Sequence, residues 1–391
     1  MKPSTLAAAF VSVLLAGPAV AQQCGGEFGP WLDGMKAEAS ATGVGPKGLS
    51  ALDVAKLDTK VLARDRAQGV FSQTFVEFST RMVSAYRLKQ GAANLKKHAE
   101  VFARAEQEFG VPGQVIAAFW ALETDFGAVQ GDFDTLDALA TLAHDCRRPD
   151  LFRRQIVPLL KLIDSGTLPV DVRGAWAGEI GQTQILPSDY LDKGRDGDGD
   201  GIVDLRASAP DVIMTTGNFL KQLGWRAGEP WMDEVRVPDE MDWSDTGREN
   251  QHPRSHWAAA GVTLPGGSAL PADAQPSSLV LPMGRKGPAF LVYPNYDIYL
   301  EWNKSFVYTL TAAHLAGRLG GAAPYDPRAA EPALTIEGMM RLQTKLQALG
   351  HDVGKIDGVL GTGTRTAVQA EQKKAGLPAD GWPSENLLSL L

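Results

Sequence analysis

From about Phe28 to Ala227, apolar residues recur at three- and four-residue spacing among Ala, Leu, Glu, Lys and Arg, which predicts a mostly helical region. Between about Glu229 and Tyr299 the pattern changes. Short runs of Val, Leu and Trp are broken by Gly, Pro and Ser, as in VTLPGG and SSLVLPMG, and predict strands and loops of a smaller β-containing part. Helical spacing returns over about Ser305 to Leu319. Gly320 to Leu334 carries Pro324, Pro327 and Pro332 and reads as a linker, and a last helical unit runs from about Thr335 to Leu391. The expected class is α+β, mainly α. The expected division is residues 1–21, 22–320, 321–334 and 335–391.

The first of these segments reads as a secretory leader. Lys2 precedes the short apolar stretch Leu6 to Ala16, Pro18 breaks it, and Ala19-Val20-Ala21 supplies a small-x-small cleavage pattern. The stretch is shorter than the ~20 apolar residues of a membrane span, so the expectation is a soluble exported protein with no stable membrane insertion. Cys24 and Cys146 are the only two cysteines. In an oxidising compartment two lone thiols pair, so a disulfide is expected. The chain carries 38 Lys and Arg against 46 Asp and Glu. This acidic balance argues against nucleic acid as a partner and leaves a neutral polymer such as a glycan compatible.

One helix carries a candidate for chemistry. In GVPGQVIAAFWALETDFG, Gly110 to Gly127, a stripe of Val115, Phe119 and Leu122 lies beside Ile116 and Trp120. Glu123 follows Phe119 by four residues and Trp120 by three, which places it at the edge of the apolar face beside two aromatic rings. Lost hydration raises the pKa of an acid there, and a raised pKa lets it hold a proton near neutral pH and deliver it to a leaving oxygen. Asp125 lies on roughly the opposite face and is a poor second carboxylate.

ALETDFG, GDFDTLDALATLAHD (Gly131 to Asp145), GAWAGEIGQTQILPSDY (Gly174 to Tyr190), RDGDGDGIVDL, GPAFLVYPNY and EWNKS occur in this order. In sequence and spacing they resemble the lytic murein transglycosylase B family, glycoside hydrolase family 103, from roughly Cys24 to Leu319. The resemblance implies a lysozyme-like domain acting in the periplasm on peptidoglycan. The bond cut is the β-1,4 bond between N-acetylmuramic acid and N-acetylglucosamine, with a 1,6-anhydro product and no water consumed. Glu123 takes the place of the family's single acid/base. The family often has Ser where Ala175 stands, and Tyr where Trp302 stands. A hydrolytic muramidase, or a non-catalytic wall-binding protein on the same fold, are the rival readings.

The resemblance places Gln184 in the glycan groove, with Gln182 beside it; both can serve sugar hydroxyls and acetamides. Tyr296, Trp302, Asn303 and Ser305 come from the YPNY and EWNKS motifs, with rings for sugar faces and Asn303 for an acetamide. Asp196, Asp198, Asp200 and Asp204 occupy positions one, three, five and nine of an EF-hand-like loop, with Gly201 at the turn and the Ile202 carbonyl at position seven. This pattern predicts a structural Ca2+, which the family's comparable loop also binds, although position twelve is Ala207 in place of the usual Glu. No organic cofactor is expected.

The last unit resembles the peptidoglycan-binding domain type 1, a three-helix module, through Leu342 to Gly350, Asp357 to Gly361 and Thr364 to Val368. Glu371 stands before Gln372 where an aromatic is usual. His351 alone makes no metal site.

Overall fold

The computed structural model describes residues 24–67 and 73–391; the leader read over residues 1–21 lies outside them. Among the described residues no helix is long and apolar enough to cross a membrane. Among the described residues the fold is mainly helical, with one four-stranded antiparallel sheet and one two-stranded ribbon. Cys24 and Cys146 are joined with their Cα atoms 5.3 Å apart, tying the start of the described chain to the end of the helix Thr135–His144. Gly25 N–H donates to the His144 carbonyl beside the bridge.

The helix Gly113–Thr124 runs through the centre of the body. Every residue from Val115 to Leu122 is buried, so its apolar surface extends all round rather than along the stripe the spacing predicts. A helix of that kind needs neighbours on every side. It packs against Phe306–Leu319, Ala85–Lys97, Ala99–Phe109 and Ala209–Gln222. Its end is sharply bent: Asp125, Phe126 and Gly127 all have positive φ. The unfavourable left-handed conformation of Asp125 is held by Arg87, whose Nε lies 2.7 Å from Asp125 Oδ1 and whose second arm donates to Oδ2 at 3.1 Å.

The sheet explains the apolar runs of the middle region. Its strands follow the spatial order Met232–Val235, Ala289–Val292, Pro276–Val280 and His252–Pro253. Side chains alternate across a strand. Phe290, Val292 and Val280 join the large helical core, whereas Ala289, Leu291 and Leu279 join a second core with Trp243 and Trp257. Both faces of the central strands are thus covered, so these strands read as unbroken hydrophobic runs. Helix resumes earlier than expected, at Pro294–Trp302. Pro294 suits a first helical turn, and burial of Tyr296 and Tyr299 outweighs the modest helix propensity of aromatics.

The stretch expected as a linker lies fixed along the body. The Tyr325 ring packs among Phe75, Phe290 and His314, and its hydroxyl is 2.7 Å from Ser79 Oγ. Asp326 pairs with Arg236 at 2.9 Å, and Arg328 donates to the carbonyls of Arg285 and Gly287. The C-terminal helices Ile336–Ala348, Thr362–Lys374 and Glu385–Leu390 enclose their own small core of Leu342, Leu346, Val368 and Leu387. This module is docked on the sheet side of the body. The Arg365 guanidinium sits between the rings of Phe306 and Trp382 and donates to the carbonyls of Pro282 at 2.7 Å and Leu281 at 3.3 Å. Gln369 Nε2 donates to the Trp243 and Thr246 carbonyls.

Hydrogen bonds from a charged donor are worth about 1.5–3 kcal/mol each when lost. Arg365→Ala should therefore loosen the module without unfolding the body. Limited chymotrypsin digestion should cleave near Tyr325 much faster in the variant than in the parent chain, while far-UV circular dichroism stays the same.

Candidate functional site

A cleft of about 430 Å³ opens at the C-terminal end of the central helix. Glu123 lies at its base. Ala175, Trp176 and Glu179 form one wall; Gln184 to Leu186 and Asp189 continue it; Phe219, Trp302 and Asn303 face them.

One Glu123 oxygen, Oε1, accepts two hydrogen bonds, from Trp302 Nε1 at 3.0 Å and from the Tyr308 hydroxyl. The Trp302 ring rests on Phe119 and Phe219, with centroids 4.5 and 5.1 Å away, so its donor is held in place by packing. Tyr308 comes from the first turn of Phe306–Leu319, a helix begun by Ser305, whose hydroxyl accepts from Tyr308 N–H. These two donors fix the carboxyl without the hydroxyl that Ala175 lacks. Burial pushes the Glu123 pKa up; the hydrogen bonds from Tyr308 and Trp302 pull the other way, and the charge of Glu179 adds to the rise. Glu179 is itself raised by burial, against backbone N–H donors from its own residue and Ala177. Asp125 is occupied by Arg87 and takes no part in the cleft.

The segment carrying Glu179 and Gln184 is shaped by tight turns. Ala175 N–H donates to the Glu179 carbonyl at 2.8 Å, and Ile180 and Ile185 exchange backbone bonds at 2.9 and 3.0 Å. Gln184 between them has φ +52° and lines the cleft, with its amide N–H bonded to the carbonyls of Gly181 and Gln130. Pro187 is the first residue of the helix Pro187–Lys193, a position that suits proline.

Three residues expected in the groove serve the scaffold. Gln182 is buried: its Oε1 accepts from Trp120 Nε1 at 2.8 Å and its Nε2 donates to the Arg206 carbonyl at 3.0 Å, locking the central helix to the next segment. Tyr296 is fully buried with its hydroxyl 2.9 Å from Thr309 Oγ1. Ser305 is a helix cap. Trp302, Asn303 and Gln184 do line the cleft. Sequence reasoning missed Tyr308 and Glu179. Glu179 stood inside a quoted motif, and an acid flanked by Gly, Ala and Ile was the available signal; Tyr308 carried none beyond its place one turn after a cap.

The acidic loop is braced from within. Asp196 accepts from Gly199 and Gly201 N–H, Asp200 from Ile202 N–H, and Asp204 from Arg206 and Ala207 N–H. Asp196, Asp198 and Asp211 bring carboxylate oxygens within 4.8 Å of one another; the carboxylates of Asp200 and Asp204 are not part of that group. Asp211, from the helix Ala209–Gln222, was outside the sequence pattern and also receives Gly197 and Asp204 N–H. The all-oxygen, carboxylate-rich set with Gly201 at φ +88° fits a hard cation such as Ca2+.

In the module, Glu371 accepts from His351 and Lys374, both at 2.6 Å, and is nearly buried. His351 is thus engaged by the Glu371 carboxylate through its Nε2.

A mainly helical body with a buried acid at the foot of an open cleft has the form of a glycan-cleaving domain. The sequence matches the transglycosylase SLT domain family over residues 27–317, and this chain belongs to it; residues 336–391 match the putative peptidoglycan binding domain. Among solved structures it is similar to SltB3 from Pseudomonas aeruginosa in complex with NAG-anhNAM-pentapeptide, with 34% identity and a TM-score of 0.87 over 94% of this chain and 99% of that one. The Escherichia coli lytic transglycosylase Slt35 in complex with calcium is 25% identical, with a TM-score of 0.63 over 78% and 97% of the two chains. The membrane-bound lytic murein transglycosylase B of Escherichia coli K12 is 27% identical over 243 residues, 62% of this chain and 66% of that relative, so the match spans just under two thirds of the relative's length.

The raised Glu123 pKa has a stability consequence. A carboxyl raised in the fold stabilises below its unfolded value, near 4.5, and that contribution is lost as pH rises through the folded value. Glu123→Gln is neutral at every pH and keeps an acceptor for Tyr308 and Trp302. Its Tm should exceed that of the parent at pH 8, and the gap should close below pH 4.5; calorimetry across this range checks it.

Proposed function

We propose that this chain is a lytic transglycosylase of the cell wall, cleaving the β-1,4 bond between N-acetylmuramic acid and N-acetylglucosamine and leaving 1,6-anhydromuramic ends. The observation that carries this is the Glu123 carboxyl, enclosed at the base of the cleft, raised in pKa and held on one oxygen by Tyr308 and Trp302. Glu123 protonates the glycosidic oxygen, the C1–O bond breaks, and its electrons leave with the N-acetylglucosamine side. Positive charge grows at C1, and the substrate's own 2-acetamido group or the anionic walls of the cleft offset it. The Glu123 carboxylate then takes the proton of the muramyl 6-hydroxyl, O6 bonds to C1, and the acid is restored. Trp302 and Tyr308 aim the carboxyl through both steps, and the charge on Glu179 helps Glu123 hold its proton. Trp302, Asn303 and Gln184 are the proposed sugar contacts.

Glu179, a further carboxylate in the cleft, keeps one rival reading open. A hydrolase uses a pair of acids, one to donate a proton and one to activate water or attack C1. Glu179 lines the same cleft and would be the second acid in that reading. Product mass separates the readings, because the anhydro product is lighter by one water.

The place of action is proposed to be the periplasm, reached through the leader read over residues 1–21. The C-terminal module is proposed to hold wall glycan as a rigid extension of the body, since Arg365 and Gln369 dock it. Asp196, Asp198 and Asp211 are proposed to hold a structural Ca2+, with the turns at Asp200 and Asp204 shaping the loop; calcium in the Slt35 complex is consistent with this.

Glu123→Gln should fold and lose at least about 10²–10⁴-fold of its activity on purified peptidoglycan, and mass spectrometry of parent digests should find 1,6-anhydro ends. A variant within a few-fold of the parent would overturn the assignment. For the loop, Ca2+ in excess over EGTA should raise Tm, since an ion that binds the native state stabilises it. Asp198→Ala should melt low and ignore both; superimposable melting curves of the parent would reject the site.

A further inference from the structure

A second group of side chains lies apart from the cleft, in the β-containing part. Asp245 ends the turn Trp243–Asp245, His252 lies on the edge strand His252–Pro253, and His256 lies in the helix Arg254–Ala259. His256 Nε2 is 3.2 Å from Asp245 Oδ2. The two imidazoles lie face to face, with centroids 4.0 Å apart and planes 14° from parallel. One ligand atom from each of the three residues lies within 4.8 Å of the others.

The rings are not free to wander. Both stand edge-on against Trp257, at 5.3 and 4.9 Å. Trp257 is fully buried and anchored by its Nε1 on the Ser277 carbonyl. The outer side of the cluster is open, since all three side chains are partly exposed. We propose that Asp245, His252 and His256 form a binding site for a divalent transition metal, with Zn2+ the natural occupant by donor type.

The donor set selects the class of ion. Two imidazoles and one carboxylate suit Zn2+, Ni2+ or Cu2+, whereas Ca2+ and Mg2+ prefer oxygen alone. Zn–N and Zn–O bonds of about 2.0–2.2 Å at a tetrahedral centre put ligand atoms about 3.3–3.5 Å apart. The Asp245–His256 distance is already close to this, and small side-chain rotations bring in His252. Three protein ligands leave a fourth position for water. None of the three residues lines the cleft, so the site is separate from the one around Glu123. The loop it would clamp also receives the C-terminal module: Gln369 bonds the carbonyls of Trp243 and Thr246, and Lys373 reaches Ser244 Oγ at 3.2 Å. Metal binding would join this docking loop to the strand and helix that follow it.

The test uses the full chain, stripped of metal and returned to excess Ca2+ so that the acidic loop is saturated. Zn2+ is titrated by calorimetry, and Co2+ is added in parallel as an optical probe. One equivalent of Zn2+ should bind and raise Tm, and Co2+ should give the visible absorption of a tetrahedral nitrogen–oxygen site. His252→Ala and His256→Ala, both at partly exposed positions and checked for folding by circular dichroism, should each weaken Zn2+ binding by more than about tenfold, since even outer-shell changes cost about 10–100-fold. No binding by the parent chain, or binding that both variants retain unchanged, would overturn the site and leave the cluster as a His–Asp contact with a stacked neighbour.

Discussion

The arrangement around Glu123 depends on keeping one carboxyl out of bulk water while giving it two fixed donors. Burial and hydrogen bonding push its proton affinity in opposite directions, and burial dominates. Much of the body serves this balance. The central helix is buried on all sides so that its last turn delivers the acid to the cleft, and the Arg87 ion pair holds the strained residue just beyond it. Trp302 is set by two phenyl rings, and Tyr308 by the cap that starts its helix. Each donor is thus fixed by packing elsewhere, which is how a polar group is held ready without local rearrangement.

Gln182 illustrates how closely scaffold and site are interleaved. Two residues before Gln184, it spends its amide on Trp120 and Arg206. Thr124 adds a bond from its hydroxyl to the Gln182 carbonyl. The wall of the cleft is therefore bolted to the helix that carries the acid. Gly127 is part of the same fit: a Cβ there would meet Gln182 Oε1 at 2.4 Å, and its φ of +87° is one that L side chains rarely adopt.

The sheet plays the corresponding part for the C-terminal module. With a core on each face, its central strands are rigid, and the loops leaving them offer carbonyls at fixed positions. Arg365 and Gln369 use those carbonyls. The proline-bearing segment between the two parts is held by Tyr325, Asp326 and Arg328, so the module keeps a set orientation to the body. A wall-binding unit held in this way would present glycan from one direction, where a flexible tether would sample many.

The sequence by itself determined the mainly helical class, the change of period in the middle region, the disulfide partners, and Glu123 as the acid worth examining. All of these rest on local periodicity, on residue chemistry, or on a choice among very few residues. It did not determine which neighbours Glu123 has. Tyr308 lies 185 residues away and Glu179 comes from the separate segment that forms one wall of the cleft, and no short-range pattern encodes such meetings. Nor did it separate Gln184, which lines the cleft, from Gln182, which is buried beside it, because a left-handed turn between two paired isoleucines decides which side chain points outward. The same holds for Asp211, drawn to the acidic loop from the following helix, and for the apparent linker, whose prolines read as a spacer until Tyr325 found its pocket. Local sequence sets which conformations are cheap. Burial, available only once distant segments have packed, sets which of them persist and which polar groups are left free to act.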